Sequence, residues 1–338
     1  DIILKSYQTR ANWFYTGYED SGTDFLGQDR IIFGFNLGDV FGANRSLSYQ
    51  YTGDLDFEHV RANSLVYSQG LPWRHWVTIL ASYVEIDSDP ILLGGGGKLD
   101  TEGQNLQLSG RYSIPLDGTA NRQREMDFGF DWKSNGSSQE FASGLPGLIG
   151  LGNTVEIFQF SIGYNETIQH TRGVTQFDIR GVYSPGGLNN HNSDFTFQQS
   201  RGLSSAEYFY AVGSVEHQRR LRNDWSARFK MQGQVANENL QTSEALGAGG
   251  YDTVRGFDQR VALGDNGFWG TAEIYTPELS FGRIYDWENE SDSLRFLGFF
   301  DAANLSSDKP LPLEANSRQL GSVGLGLRYN YSDWFNFR

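Results

Sequence analysis

Cysteine is absent from the 338 residues. That lack removes disulfide frameworks, thiolate zinc sites and cysteine nucleophiles together, and it suits a bacterial envelope protein. A basic surplus is missing too: 27 Lys and Arg stand against 41 Asp and Glu, a formal net charge of -14. No nucleic-acid partner is therefore expected, because binding a phosphate backbone needs an excess of Lys and Arg. No run of about 18 apolar residues occurs, which excludes a membrane-spanning helix, and no signal peptide is recognisable from Asp1 onward. Proline is scarce, at 8 residues, and little in the chain interrupts long strands.

Glycine (41 residues) and aromatics (14%) are by contrast plentiful. Apolar and polar residues alternate over segments of about ten residues, the period that places successive side chains on opposite faces of a sheet. Between Val155 and Asn165, Phe158, Phe160, Ile162 and Tyr164 share one face, and Gln159, Ser161, Gly163 and Asn165 the other. From Trp225 to Val235, Trp225, Ala227, Phe229, Met231 and Val235 oppose Ser226, Arg228, Lys230, Gln232 and Gln234. Val323, Leu325, Leu327 and Tyr329 oppose Gly324, Gly326 and Arg328. Two architectures produce such a pattern: a soluble sandwich with its polar faces in water, and a membrane barrel that is apolar outside and polar inside. Segment length favours the barrel, as do aromatics near segment ends, such as Trp13-Phe14-Tyr15, Trp73 with Trp76, and Tyr208-Phe209-Tyr210.

Strands are expected at 8–18, 28–38, 44–53, 60–69, 74–85, 102–114, 122–134, 153–166, 173–184, 205–219, 223–236, 266–277, 292–303 and 319–330, with another starting near 333. The connectors alternate between short and long, the arrangement of periplasmic turns and outer loops. Two fit less well: Asp54 to His59 is short for an outer loop, and Glu278 to Ser291 is long for a turn. In this register Asp1 lies on the periplasmic side, and Asp333 to Arg338 begins an ascending strand. A closed bacterial barrel needs an even strand count. The expected fold is thus all-β, a transmembrane antiparallel β-barrel of about 16 strands in the intact protein, with about one and a half falling beyond Arg338.

The run Gly249-Gly250-Tyr251-Asp252-Thr253-Val254-Arg255-Gly256-Phe257 sets a charge inside a glycine-rich, apolar stretch. Such a charge needs a specific partner, and Asp301, in Phe299-Phe300-Asp301, is a candidate. Val254-Arg255-Gly256-Phe257 resembles the sixth-loop signature of the outer-membrane polypeptide-transport barrels. The resemblance implies that the sixth outer loop folds into the lumen and that its arginine pairs with an aspartate of the inner wall. Within that superfamily the chain resembles the transporters of two-partner secretion, the haemolysin and filamentous-adhesin exporters, over nearly its whole length. Asp20-Ser21-Gly22-Thr23, Leu26-Gly27-Gln28-Asp29-Arg30, Gly38 to Asn44 and Leu47-Ser48-Tyr49 resemble the start of their barrel. Gly264-Asp265-Asn266-Gly267 and Glu273-Ile274-Tyr275-Thr276-Pro277 follow the loop motif in the same order. Asp1-Ile2-Ile3-Leu4 resembles the last strand of a periplasmic POTRA-like domain, so residues 1–7 are expected to end such a domain and residues 8–338 to form the barrel. One departure is Ala302-Ala303-Asn304 after Asp301, where the family shows a glycine.

Parity along 292–303 places Arg295, Leu297, Phe299 and Asp301 on one face, so Asp301 faces the lumen if the barrel reading holds. Phe299, Glu273 and Arg295 are then lumen-wall residues, with Arg255 and Asp301 as the lock and Val254, Gly256 and Phe257 as the loop motif around it. A bidentate Arg–carboxylate contact is directional and suited to fixing a loop. Arg228, Lys230 and Arg328 share the polar face and are read as partners in wall salt bridges.

Other signals carry less. Gly94-Gly95-Gly96-Gly97-Lys98 lacks the Ser or Thr that would hold magnesium, since Leu99 follows, and it reads as an outer loop. His59, His75, His170, His191 and His217 show no metal-ligand spacing. Ser214 and His217 fall on opposite faces of one strand, which gives an esterase no support. No cofactor, metal or catalytic activity is expected. The resemblance implies a bacterial outer-membrane pore, surrounded by outer-membrane lipid and acting as a single chain, that secretes an unfolded exoprotein of adhesin, haemolysin or toxin type. A barrel-assembly factor of the same superfamily and a passive porin are the alternatives.

Overall fold

Long alternating segments with few prolines can satisfy their backbone groups only by pairing side by side, and they do so in chain order. The computed structural model describes residues 12–23, 27–40, 44–93, 97–142, 149–284, 292–312, 315–332 and 335–337. The strands are β1 (Asn12–Thr23), β2 (Gly27–Gly38), β3 (Arg45–Gly53), β4 (Val60–Gly70), β5 (Trp76–Leu93), β6 (Gly97–Thr119), β7 (Arg122–Ala142), β8 (Ile149–His170), β9 (Gly173–Pro185), β10 (Glu207–Arg220), β11 (Ser226–Ala236), β12 (Leu246–Ala248), β13 (Ala262–Gly264), β14 (Asn266–Tyr275), β15 (Asp292–Ser306), β16 (Ser317–Tyr331) and β17 (Phe335–Phe337). All but β12 and β13 form one 15-stranded antiparallel sheet ordered as the sequence runs, and those two pair as a separate hairpin. Two short α-helices are described, α1 (Asp194–Ser200) and α2 (Phe281–Ile284), with one 3-10 turn at Arg222–Asp224. The assignment of residues 1–7 to a preceding domain, residues 8–11 of the first expected strand, and the glycines 94–96 lie outside the described residues.

The chain divides into two compact units, one of residues 1–115, 127–162 and 182–208, the other of residues 116–126, 163–181 and 209–338. In the first unit polarity is inverted relative to a soluble core. Gln159 of β8 is 1% exposed and Ser161, Asp127 and Asp131 are buried, whereas Phe160 is 53% and Ile162 50% exposed. Two of these buried polar side chains are visibly partnered: Gln159 donates to the Tyr208 hydroxyl at 2.6 Å, and Arg111 bridges both oxygens of Asp131 at 2.7 and 2.8 Å. A soluble sandwich would bury its phenylalanines, so this arrangement selects a sheet whose apolar face meets lipid. The second unit repeats it, with Phe229, Ile274 and Phe300 outward and Val323 and Leu325 at 81% and 89% exposure.

Expected strand ends are corrected at β1, which runs to Thr23, at β6, which runs to Thr119, and around two expected loops. β5 and β6 extend through the expected loop 86–101, with Asp87 opposite Glu102 and Ile91 opposite Leu99 after a register shift. β7 and β8 likewise run into the loop expected at 135–152. Backbone pairing needs no alternation of side chains, so periodicity ends these strands too early. The connector 185–204 holds α1, capped by Ser193, whose hydroxyl accepts from the Thr196 N–H, and anchored by the fully buried Phe197. The connector after β3 is short because one side chain organises it. The Asp54 carboxylate accepts the backbone N–H groups of Glu58, His59 and Val60, at 2.8 to 3.3 Å. Burial raises the pKa of this carboxyl, but those donors outweigh it and hold the pKa at about 2.

Candidate functional site

The site is built on the polar face of β11, β14, β15 and β16. The register sets Thr271 opposite Asp301 and Glu273 opposite Phe299, Asp301 opposite Ser322, and Arg228 opposite Glu273. Asp301 is completely buried and Glu273 nearly so. Two carboxylates this dry require cationic or hydrogen-bonding partners.

The partners come from segment 237–265. Its root is fastened by Asp265, buried, which accepts from Leu240 N–H at 2.9 Å and Asp308 N–H at 3.0 Å. Asn239 and Lys309 exchange two bonds at 2.7 and 2.8 Å. The β12–β13 hairpin then lies against β14 and β15 through an apolar cluster of Leu246, Ala248, Val254, Ala262, Trp269, Ala303 and Leu305. Ala248 and Ala262 on the hairpin and Ala303 on β15 are its small members, and an added Cβ at Gly264 would lie 2.8 Å from the Ser306 backbone nitrogen, so the two backbones approach closely there.

Beyond the hairpin the chain turns sharply. Gly249 sits at φ 110°, and an added Cβ would lie 2.4 Å from the Asp258 carbonyl oxygen. Thr253 closes the turn, its hydroxyl donating to the Gly249 carbonyl and accepting from the Gly249 N–H, at 2.8 and 2.9 Å. Gly256 has φ 84° with open space at the Cβ position, so backbone conformation alone selects glycine there.

Arg255 emerges between these turns. Its Nε donates to Asp301 Oδ2 at 2.8 Å and its Nη2 to Oδ1 at 2.6 Å, a two-pronged contact, and its own backbone N–H reaches Oδ2 at 3.1 Å. Nη1 donates to Glu273 Oε1 at 2.6 Å, and Nη2 also meets the Thr271 hydroxyl at 3.3 Å. The guanidinium carbon lies 3.7 Å from the centre of the Phe299 ring. Planarity serves both contacts, since the edge of the group matches the carboxylates and its face matches the ring. Glu273 additionally accepts from the Tyr275 hydroxyl at 2.5 Å and has Arg228 and Arg328 at 3.6 and 3.7 Å. Ser322 donates to Asp301 at 3.3 Å.

Arg255, Asp301, Glu273, Phe299 and Val254 therefore meet in one place. Phe257 is 40% exposed and lies outside the apolar cluster, contributing its backbone carbonyl to the Gly250 N–H at 3.0 Å. Arg295 stands apart from the lock and reaches the Thr276 carbonyl at 3.2 Å. Of the other basic residues, Arg228 holds Glu216 through two bonds at 2.9 and 3.0 Å. Lys230 lies 5.1 Å from the centre of the Trp269 ring. Thr271, Ser322 and the Tyr275 hydroxyl had no individual signal in the sequence; only cross-strand register reveals them.

An inside-out sheet carrying a long loop latched to its polar face defines the class: a transmembrane β-barrel with an internal loop. Solved structures share the fold. CdiB from Escherichia coli matches with a TM-score of 0.79 at 17% identity, over 97% of this chain and 58% of that one. CdiB from Acinetobacter baumannii matches at 0.68 and 18%, over 97% and 55%. BamA from Haemophilus ducreyi lacking POTRA domains 1-3 matches at 0.60 and 14%, over 95% and 64%. The chain thus spans less than two thirds of each. A search of curated proteins finds no match. The model of the haemolysin secretion/activation protein family ShlB/FhaC/HecB matches residues 1–328, and the chain belongs to that family. Its place is the bacterial outer membrane.

Proposed function

We propose that this chain is the conduit through which an unfolded exoprotein of adhesin, haemolysin or toxin type passes from the periplasm to the cell surface. One observation carries the reading beyond family membership: the tip of the internal loop is held by a polar latch, Arg255 on Asp301 and Glu273. The latch is polar and borders a polar cavity, so undocking the tip exchanges hydrogen bonds to carboxylates for hydrogen bonds to water instead of exposing an apolar plug. Moving Arg255 off Asp301 frees the loop tip while Asp265 keeps its root in place. The wall left behind is polar, and many of its charges are paired across strands, as Arg228 is with Glu216, so it offers few apolar grips to an extended polypeptide.

The test is deletion of the complete gene in its host, with the secreted and outer-membrane proteomes compared by quantitative mass spectrometry. Loss of one or two large secreted proteins is expected. A broad fall in many outer-membrane barrels would make the protein an assembly factor, and no change in either set would leave a passive porin.

A further inference from the structure

Beside the latch, within the second unit, lies a polar cavity of about 1200 Å³. It is lined by the turns that follow β8 and β10, by the loop tip and by residues of β11, β14, β15 and β16. Its charge is opposite in sign to that of the chain: eight Arg and Lys residues line it against five Asp and Glu, in a sequence with a formal net charge of -14. Its volume exceeds the roughly 300–1,000 Å³ of a small-molecule pocket, which suits a stretch of polymer.

Two of the lining residues stand in an arrangement that the described residues do not balance. Arg295 of β15 and Arg328 of β16 are directly opposite each other in the ladder, and like charges so placed destabilise a sheet. Their guanidinium carbons lie 5.7 and 5.0 Å from the centre of the same Tyr275 ring, which holds both toward the cavity. Among the described residues neither is satisfied by a hydrogen-bonded carboxylate. Among the described residues Arg295 has the Thr276 carbonyl at 3.2 Å and, as its one carboxylate, the exposed Glu278 at 3.9 Å. Arg328 has Glu273 at 3.7 Å, a carboxylate already taken by Arg255 and Tyr275, and its Nε is buried with no acceptor among the described residues. Two adjacent guanidinium groups sharing an aromatic support match a carboxylate, which accepts from both and removes their repulsion.

We infer that Arg295 and Arg328 form a carboxylate-binding clamp for acidic side chains of the polypeptide entering the conduit. This rests on the proposed conduit function for the identity of the ligand, though not for the binding itself. The clamp engages Asp or Glu side chains at the cavity and releases them as the chain advances, because each contact is individually weak in a wet site.

The full-length protein is purified and titrated with a fluorescent oligoglutamate peptide, with oligoglutamine and free glutamate as comparisons. Saturable binding of oligoglutamate alone is expected, weakened about tenfold in Arg328→Gln and further in the double variant with Arg295→Gln. Thermal unfolding of the peptide-free protein supplies a second readout. Relief of the like-charge pair should leave the Arg328→Gln midpoint unchanged or higher, while a purely structural arginine would lower it. Equal binding of oligoglutamine, undiminished affinity in the double variant, or competition by free glutamate at equal concentration would each overturn the clamp. Secretion separates this idea from the conduit reading: lost peptide binding with an export defect in the gene deletion sinks the clamp alone. Peptide binding by a protein whose deletion changes no secreted product sinks the conduit and leaves the clamp.

Discussion

Replacing Arg255 with alanine removes four side-chain hydrogen bonds and a ring contact, while the backbone N–H at that position can still reach Asp301. The loss would be about 3–5 kcal/mol for stranding a fully buried carboxylate. Asp301 is fully buried, but the latch borders a cavity of about 1200 Å³ that admits water, and Ser322 and Tyr275 still serve the two acids. A cost of about 2–3 kcal/mol is the reasonable figure, or about 30- to 150-fold in the ratio of docked to undocked loop. Val254 is worth about 1.5–3 kcal/mol through its burial and is untouched, so the root and hairpin should stay in place while the tip loosens. The absence of cysteine makes the measurement clean. Spin labels at Tyr251→Cys and Asn330→Cys, both on the cavity wall, should report one narrow distance in the parent and a broad distribution when Arg255→Ala is added. Secretion should fall while the amount of folded barrel in the membrane does not. An unchanged narrow distribution with normal export would refute the latch.

The two loop glycines should differ in cost. Gly256→Ala meets no atoms and should lose about 1–2 kcal/mol from the left-handed backbone alone, whereas Gly249→Ala adds a collision with the Asp258 carbonyl oxygen and should release the loop to protease more readily. Asp54→Asn probes the first unit. The folded pKa of about 2 lies below the ordinary 3.8, so the carboxylate contributes roughly 2 kcal/mol, fully present above about pH 4 and lost as pH falls through about 2. The variant should be less stable in urea at pH 7, and its deficit should shrink on acidification; a constant deficit from pH 7 to pH 2 would contradict the assignment.

Fifteen strand positions were legible from alternation because a sheet with lipid on one side and polar groups on the other writes its two-residue period directly into the chain. The same logic ended β5 to β8 too early, because backbone pairing continues there past the alternating segments. The motif around Arg255 was legible as a charge in need of a partner, and parity put Asp301 and Glu273 on one face. Sequence could not measure that Arg255 reaches both acids, that Thr271 and Ser322 flank Asp301, or that Phe299 lies beneath the guanidinium. Those facts depend on cross-strand register and on a loop returning over β14 and β15, separations of 16 to 46 residues. The opposition of Arg295 and Arg328, 33 positions apart by their numbers, is likewise a property of the ladder. Periodicity is local and survives in the sequence, so it determined the sheet and its two faces. Register is a relation between distant segments, and only the tertiary structure decided which charges meet.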